Sequence, residues 1–211
     1  MRFEREKGRE SISAYAPGRV TVLYAAFFLV SFFGWILEEV FFFLRGQGLL
    51  DRGFLALPIC PVYGIGVLAT YLFFGVPDRM RFFSRSLPQP WNRRVRMLYY
   101  LFYTLLAGLV CTLSELAVGL LLDLLFGVLM WDYRDLTLHV GPYISFSYAV
   151  IWGALSLLFL HFLFLPILRM LHRTDKRALF AVLLPLSVLF IADLTLNCFY
   201  SFVTRTHLSL W

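Results

Sequence analysis

Long runs of apolar residues, separated by short polar or basic stretches, dominate the chain. Several of these runs exceed the length of about 18 residues that is typical of a helix crossing a bilayer. The expected fold class is therefore all-α: a polytopic transmembrane helix bundle formed by residues 19–205, with tails at 1–18 and 206–211. The pattern predicts five spans, at about 20–44, 61–76, 95–122, 143–168 and 178–203.

The second predicted span is short and follows a stretch of unusual composition. Residues 51–66 (DRGFLALPICPVYGIG) contain an arginine, two prolines, a cysteine and three glycines. Pro61 suits the first turn of a helix, where its missing N–H costs nothing. A helix from there to Gly75 covers only about 22 Å of a hydrocarbon core of about 30 Å. We therefore expect residues 50–60 to form a re-entrant or irregular segment that enters the outer leaflet to meet the helix.

Two further spans are expected to be distorted. The third apolar pattern continues to Gly127, which is too long for one straight span, so we expect a break or a tilt near Gly119. Pro185 predicts a kink in the fifth span. The segments 77–96, 130–142 and 169–177 are expected to be polar loops.

Composition excludes a soluble domain and several site types. The chain is 60% hydrophobic and 15% charged, against about 45–50% and about 25% in soluble domains. The first apolar run is too long for a cleavable signal peptide and is expected to be retained as a span. The three cysteines are an odd number without CxxC spacing, so they predict neither a disulfide framework nor a zinc site. No ATPase, nucleophile or metal motif is present, and no cofactor is expected.

The distribution of basic residues predicts the orientation. Fifteen of the nineteen lysines and arginines lie in residues 1–19, 77–96 and 169–177. The positive-inside rule places these segments in the cytoplasm, with the N-terminus inside and the C-terminus outside a multi-pass protein of the cytoplasmic membrane. This topology accounts for the net charge of +6 without a nucleic-acid partner. The loop at 77–96, rich in arginine and aromatic residues, is also suited to contact membrane lipids or a partner protein.

Carboxylates inside the predicted spans are the main candidates for function. Each costs about 2.5–3.5 kcal/mol to insert at the centre of a span and is retained where it faces protein or water. Glu38, Glu115 and Asp193 each lie on a face with small or polar residues, Asp193 with Asn197 one turn away. Glu39 and Asp123 complete the set.

Two interpretations of these acids remain open. They could pair with Arg45, Arg52 and Arg134 and so hold the bundle together, or they could line a polar, outward-facing cavity. A lone histidine in the fourth span, His161, and Cys60 are expected to have packing or hydrogen-bonding roles.

Several motifs resemble a bacterial membrane family, the ABC-transporter permeases of "type IV" or CmpB-like integral membrane proteins. The motifs are GWILE at 34–38, DRGF at 51–54, PICPVYGIG at 58–66, LSELAVG at 113–119, WDY at 131–133 and IWG at 151–153. Together they cover roughly residues 25–165. The family typically has Asn-Arg-Gly where this chain has Asp51-Arg52-Gly53, and Gly-Pro where it has Leu57-Pro58. Residues expected to carry the shared structure are Gly34, Trp35, Gly53, Pro58, Cys60, Pro61, Tyr63, Gly64, Gly119 and Trp131.

The resemblance implies a permease-like transport component. A separate ATP-binding subunit would then dock on the cytoplasmic face, at 77–96 or 169–177, and a homodimer would be expected because five spans are few for a permease. The alternatives are a non-transporting scaffold or accessory subunit, and an intramembrane enzyme that uses the acids on lipid-type substrates. The predicted ligand or ion pathway comprises Glu38, Arg52, Glu115, Asp132, Tyr133, Asp193 and Asn197.

Overall fold

The computed structural model describes residues 19–46, 53–88, 90–206 and 208. Arg52 and the tail at 1–18 lie outside the described residues, as does most of the tail at 206–211. Within the described ranges the helices are α1 (Arg19–Leu44), α2 (Pro61–Phe74), α3 (Arg93–Phe126), α4 (Phe146–Phe162), α5 (Phe164–Arg173) and α6 (Lys176–Thr204). The strands are β1 (Gly75–Val76), β2 (Arg79–Phe82), β3 (Arg85–Ser86), β4 (His139–Val140) and β5 (Ile144–Ser145).

Helices make up most of the fold, as predicted, and two small sheets are added to them. Strands β1, β2 and β3 form an antiparallel meander in which Gly75 pairs with Met80. Strands β4 and β5 form a hairpin whose turn contains Gly141 at a φ of 60°. That left-handed conformation is open to glycine at no steric cost. Strands β2, β3 and β4 lie in segments that were predicted to be polar loops. Strands β1 and β5 lie at the ends of the predicted second and fourth spans.

Three helices are long and apolar enough to cross a membrane: Val20–Leu44 of α1, all of α3 and all of α6. Helices α4 and α5 make a fourth candidate if they are counted together, with a bend of 46° between them. Helix α2 has 14 residues, or about 21 Å of length, which is too short for a bilayer. Five helical spans are therefore not confirmed. The chain is nevertheless a membrane protein by the length and apolar character of these helices.

The two segments in which distortions were expected are both continuous helices. Helix α3 runs without a break through Gly119 for 34 residues, about 51 Å. It ends at Gly127, which adopts the left-handed conformation (φ 67°) that commonly closes a helix. Pro185 lies inside the continuous helix α6. A bend that was not predicted falls at Leu163, between α4 and α5.

Glycines allow the central helices to approach closely. A Cβ atom added at Gly153 of α4 would lie 2.2 Å from the backbone oxygen of Thr104 on α3. One added at Gly108 would lie 2.4 Å from the backbone oxygen of Ala149. Small residues at such crossings are typical of helices packed inside a membrane. The outer faces carry exposed apolar side chains, such as Phe199 of α6 at 72% exposure.

Helix α2 begins halfway along α1. The backbone N–H of Cys60, the residue before α2, donates a 2.9 Å hydrogen bond to the backbone oxygen of Ser31, at the centre of α1. Residues 53–60 contain no regular structure, and Leu55 and Ile59 within them are buried. Irregular backbone of this kind is tolerated at membrane depth when protein covers it.

Candidate functional site

A cavity of about 1270 Å³ opens beside the start of α2. Its walls come from α1, the irregular segment 53–60, α2, α3, α4 and one face of α6. The lining is mainly apolar and rich in aromatic rings, whereas the sequence predicted a polar cavity. All three cysteines of the chain, Cys60, Cys111 and Cys198, line it.

Glu115 is the most buried acid of the cavity wall. Its side chain projects from α3 and is only 9% exposed. One oxygen, Oε1, accepts hydrogen bonds from the indole N–H of Trp152 at 2.8 Å and from the hydroxyl of Tyr133 at 3.2 Å. Among the described residues, no lysine or arginine lies within 4 Å of this carboxyl group. Neutral donors, and not an arginine, therefore hold Glu115.

Glu38 enters the same cavity from α1. It accepts a 2.9 Å hydrogen bond from the hydroxyl of Tyr63, which belongs to the first turn of α2. Gly34 makes this contact possible, because a Cβ atom there would lie 2.4 Å from the Tyr63 ring. The next residue of α2, Gly64, allows a similar approach to Ser31 and Phe27.

Aromatic rings connect the two acids. The rings of Tyr63 and Trp152 meet edge to face with centroids 5.4 Å apart, and Tyr148 lies 5.8 Å from Trp152. Tyr133 stacks on Tyr148 at 5.0 Å. All four rings line the cavity. Burial, and secondarily the nearby Glu115, raises the pKa of the Tyr133 hydroxyl, which therefore remains a donor at neutral pH.

The loop after α3 closes this aromatic wall. Gly119 leaves space for the rings of Trp131 and Tyr143, which would lie 3.0–3.1 Å from a Cβ atom at that position. The indole N–H of Trp131 donates to the backbone oxygen of Tyr143 at 3.4 Å. Asp123 near the end of α3 accepts a hydrogen bond from the Tyr143 hydroxyl. These contacts hold Trp131 in the cavity lining.

Asp193 and Asn197 lie behind the irregular segment and do not line the cavity. The carboxylate of Asp193 accepts hydrogen bonds from the backbone N–H groups of Ala56 at 3.2 Å and Leu57 at 2.9 Å. The side-chain amide of Asn197 donates to Asp193 Oδ1 at 2.8 Å. Asp193 thus satisfies two backbone donors that no strand or helix pairs, and Asn197 donates to the same carboxylate.

Asp132 lies outside the cavity. It is paired with Arg134 at the protein surface, where hydrogen bonds from Arg134 lower the pKa of Asp132 to about 2. Of the residues expected from the motifs, Gly53, Cys60 and Pro61 line the cavity, whereas Pro58 and Trp35 do not. Trp35 stacks instead on Phe32 of α1.

Trp152 and Tyr148 are site residues that the sequence did not single out. Trp152 belongs to the IWG motif, and its indole can only donate a hydrogen bond. A tryptophan in the middle of an apolar span needs an acceptor there, which is a signal that could have linked it to an acid. Among the residues that the structure describes, no group of three or more His, Cys, Asp or Glu side chains is placed to hold a metal ion.

The family model described as "Putative ABC-transporter type IV" matches residues 25–198, which includes every cavity residue discussed above. The chain belongs to this family. Membership, together with the apolar helices, makes it a membrane protein related to transport. Comparisons with curated proteins and with solved structures found no significant match.

Proposed function

We propose that the chain is the permease-like membrane component of a transport system and that its substrate binds in the cavity at Glu38 and Glu115. The cavity carries this proposal. Its volume of about 1270 Å³ exceeds the range of about 300–1,000 Å³ that is usual for small-molecule sites, so it has room for a small organic molecule. A few polar groups converge in walls that are otherwise apolar, which is also typical of such sites.

The irregular segment and α2 together make one discontinuous crossing of the membrane. Residues 53–60 cover one half and the 14 residues of α2 cover the other, since α2 starts at the centre of α1. Many transporters bind substrate near the midplane, where a helix is broken in this way. With α1, α3, the bent pair α4–α5 and α6, this crossing restores five passes. With the orientation given by the positive-inside rule, the cavity opens on the outer side of the membrane.

The basic segments at 77–96 and 169–177 are the proposed docking surfaces for a separate ATP-binding subunit, and a homodimer is the proposed assembly. A scaffold or accessory subunit would have a solid bundle, so the cavity favours transport over that alternative. No specific arrangement of the described residues supports an intramembrane enzyme.

Access to Cys60 tests the proposal. The double variant Cys111→Ala/Cys198→Ala leaves Cys60 as the single thiol of the chain. We expect a membrane-impermeant thiol reagent to label it in intact cells. Adding Leu155→Trp, which fills the cavity from α4, should slow the labelling.

The matched control is Leu189→Trp, at an exposed position of α6 that does not line the cavity. It should leave the labelling rate unchanged. A Cys60 thiol that reacts only after denaturation would contradict an open, outward-facing cavity. Labelling in inverted vesicles but not in intact cells would contradict its orientation.

A further inference from the structure

The cavity combines carboxyl groups with aromatic walls, and that combination restricts the chemistry of its ligand. We propose that the cavity binds a bulky organic cation, that is, an ammonium or phosphonium centre that carries an apolar body. This inference rests on the proposed function, because it names the substrate class of the same cavity.

Glu115 provides the charge. Its carboxyl group is 9% exposed and is held by the two neutral donors Trp152 and Tyr133. A buried carboxylate is costly unless a positive charge accompanies it. Among the described residues no cationic side chain lies within 4 Å of Glu115. A cationic ligand in the cavity would provide that missing partner.

The aromatic rings provide the second element of the recognition. Tyr63, Trp152, Tyr148 and Tyr133 form a continuous series of ring contacts with centroids 5.0–5.8 Å apart. The faces of such rings attract organic cations, and aromatic cages are a common way to recognise quaternary ammonium groups. The series joins the Tyr63 partner of Glu38 to the Tyr133 and Trp152 partners of Glu115.

Other ligand classes fit the walls less well. A small inorganic cation needs several oxygen ligands at short distance, and the described residues hold no cluster of three suitable side chains. An added anion would be repelled by a charged Glu115. A ligand without charge would leave the Glu115 carboxyl group with its two neutral donors and no cationic partner.

Tetraphenylphosphonium and tetraphenylborate test the charge preference of the cavity, because they have the same shape and opposite charges. We would measure binding of each to the purified full chain in lipid nanodiscs and subtract empty nanodiscs. The cation should bind at least about tenfold more tightly than the anion. Glu115→Gln should weaken cation binding at least about tenfold, as expected from the loss of one charge-assisted contact, without weakening anion binding.

Two matched controls separate these effects from general damage. Glu39→Gln removes a buried carboxylate next to Glu38 that does not line the cavity, and it should leave cation binding unchanged. Tyr148→Leu should weaken cation binding by about 2–30-fold, the worth of one cation–π contact of about 0.5–2 kcal/mol. Phe199→Leu, an exposed aromatic position on α6, should have no effect.

Neutral triphenylphosphine distinguishes the failure of this inference from the failure of the proposed function. If all three probes bind equally and Leu155→Trp weakens all of them, the cavity is a binding site but the cation preference is wrong. If Leu155→Trp changes the binding of none of them, the cavity binds no ligand and both proposals fail. Equal cation affinity of Glu115→Gln and the unmodified chain would also overturn the cation site.

The composition of the nanodisc identifies the source of the cation. A choline headgroup and a free lipophilic cation share the recognised chemistry. If phosphatidylcholine discs lower the apparent affinity for tetraphenylphosphonium relative to phosphatidylglycerol discs, the headgroup occupies the site. Equal affinity in the two discs assigns the site to a free cation.

Discussion

Replacing Asp193 by alanine should release the irregular segment 53–60 from α6. In the native protein the carboxylate accepts hydrogen bonds from the backbone N–H groups of Ala56 and Leu57, at 3.2 and 2.9 Å. Asp193→Ala removes both acceptors and leaves two part-buried backbone donors without a partner. Such donors are costly because a buried N–H group that loses its acceptor is not fully compensated by water.

The magnitude follows from the number of lost bonds. Hydrogen bonds between membrane helices contribute about 0.6 kcal/mol on average and at most about 1.7 kcal/mol. The two bonds to the segment therefore amount to roughly 1–3 kcal/mol of unfolding free energy. The Asn197 amide also loses its bond to the carboxylate, but it keeps its 3.0 Å bond to the backbone oxygen of residue 193. For a chain of this size, that change lowers the unfolding temperature by about 2–12 °C. Asp193→Asn retains one acceptor oxygen and should cost about half as much.

Thermal unfolding of the purified protein measures the global effect, and hydrogen exchange of the Ala56 and Leu57 amides measures the local one. Both amides should exchange faster in Asp193→Ala. Thr195→Ala is the matched control, because its hydroxyl bonds only the Ile191 carbonyl of its own helix. If Asp193→Ala matches Thr195→Ala in both measurements, the carboxylate does not hold the segment.

Two further predictions concern helix packing and the surface loop. Gly153→Ala forces α4 away from the Thr104 carbonyl and should lower the unfolding free energy by about 1–3 kcal/mol, measured by thermal unfolding. Gly66→Ala, whose nearest contact would be the Cys111 sulfur at 3.2 Å, should cost less, and equal costs would contradict the close crossing. Arg134 lowers the pKa of Asp132 to about 2. The pair therefore stabilises the folded loop at pH values above the ordinary Asp pKa of about 3.9. This contribution is lost as the pH falls through about 2. In Arg134→Gln the NMR titration midpoint of Asp132 should return toward about 3.9; a midpoint that stays near 2 would show that the guanidinium is not the cause.

Structural features that depend on a few neighbouring residues could be predicted from the sequence. Pro61 begins α2 because proline is favoured in the first turn of a helix. Helix α2 is too short to cross the membrane alone, which the apolar run before Gly75 already indicated. The hairpin at Gly141 was not predicted, because its strands of two residues each are too short to show an alternating pattern.

The partners of the acids were not predictable, because they come from distant regions of the chain. Arg45, Arg52 and Arg134 were the expected partners, but Glu115 contacts Trp152 and Tyr133. Periodicity places a residue on one face of its own helix and does not specify which helix that face meets. The outcome for Arg52 remains a prediction, since it lies outside the described residues.

The sequence by itself determined that this is a membrane protein, where its long apolar helices lie and to which family it is similar, because each of these depends on local composition or on ordered motifs. Only the tertiary structure decided what each acid does. Asp193 binds the backbone of residues 56–57, while Glu38 and Glu115 face a common aromatic cavity. The physical reason is that glycine contacts such as that of Gly34 with Tyr63 set how closely the helices approach, and this approach determines which buried polar groups meet.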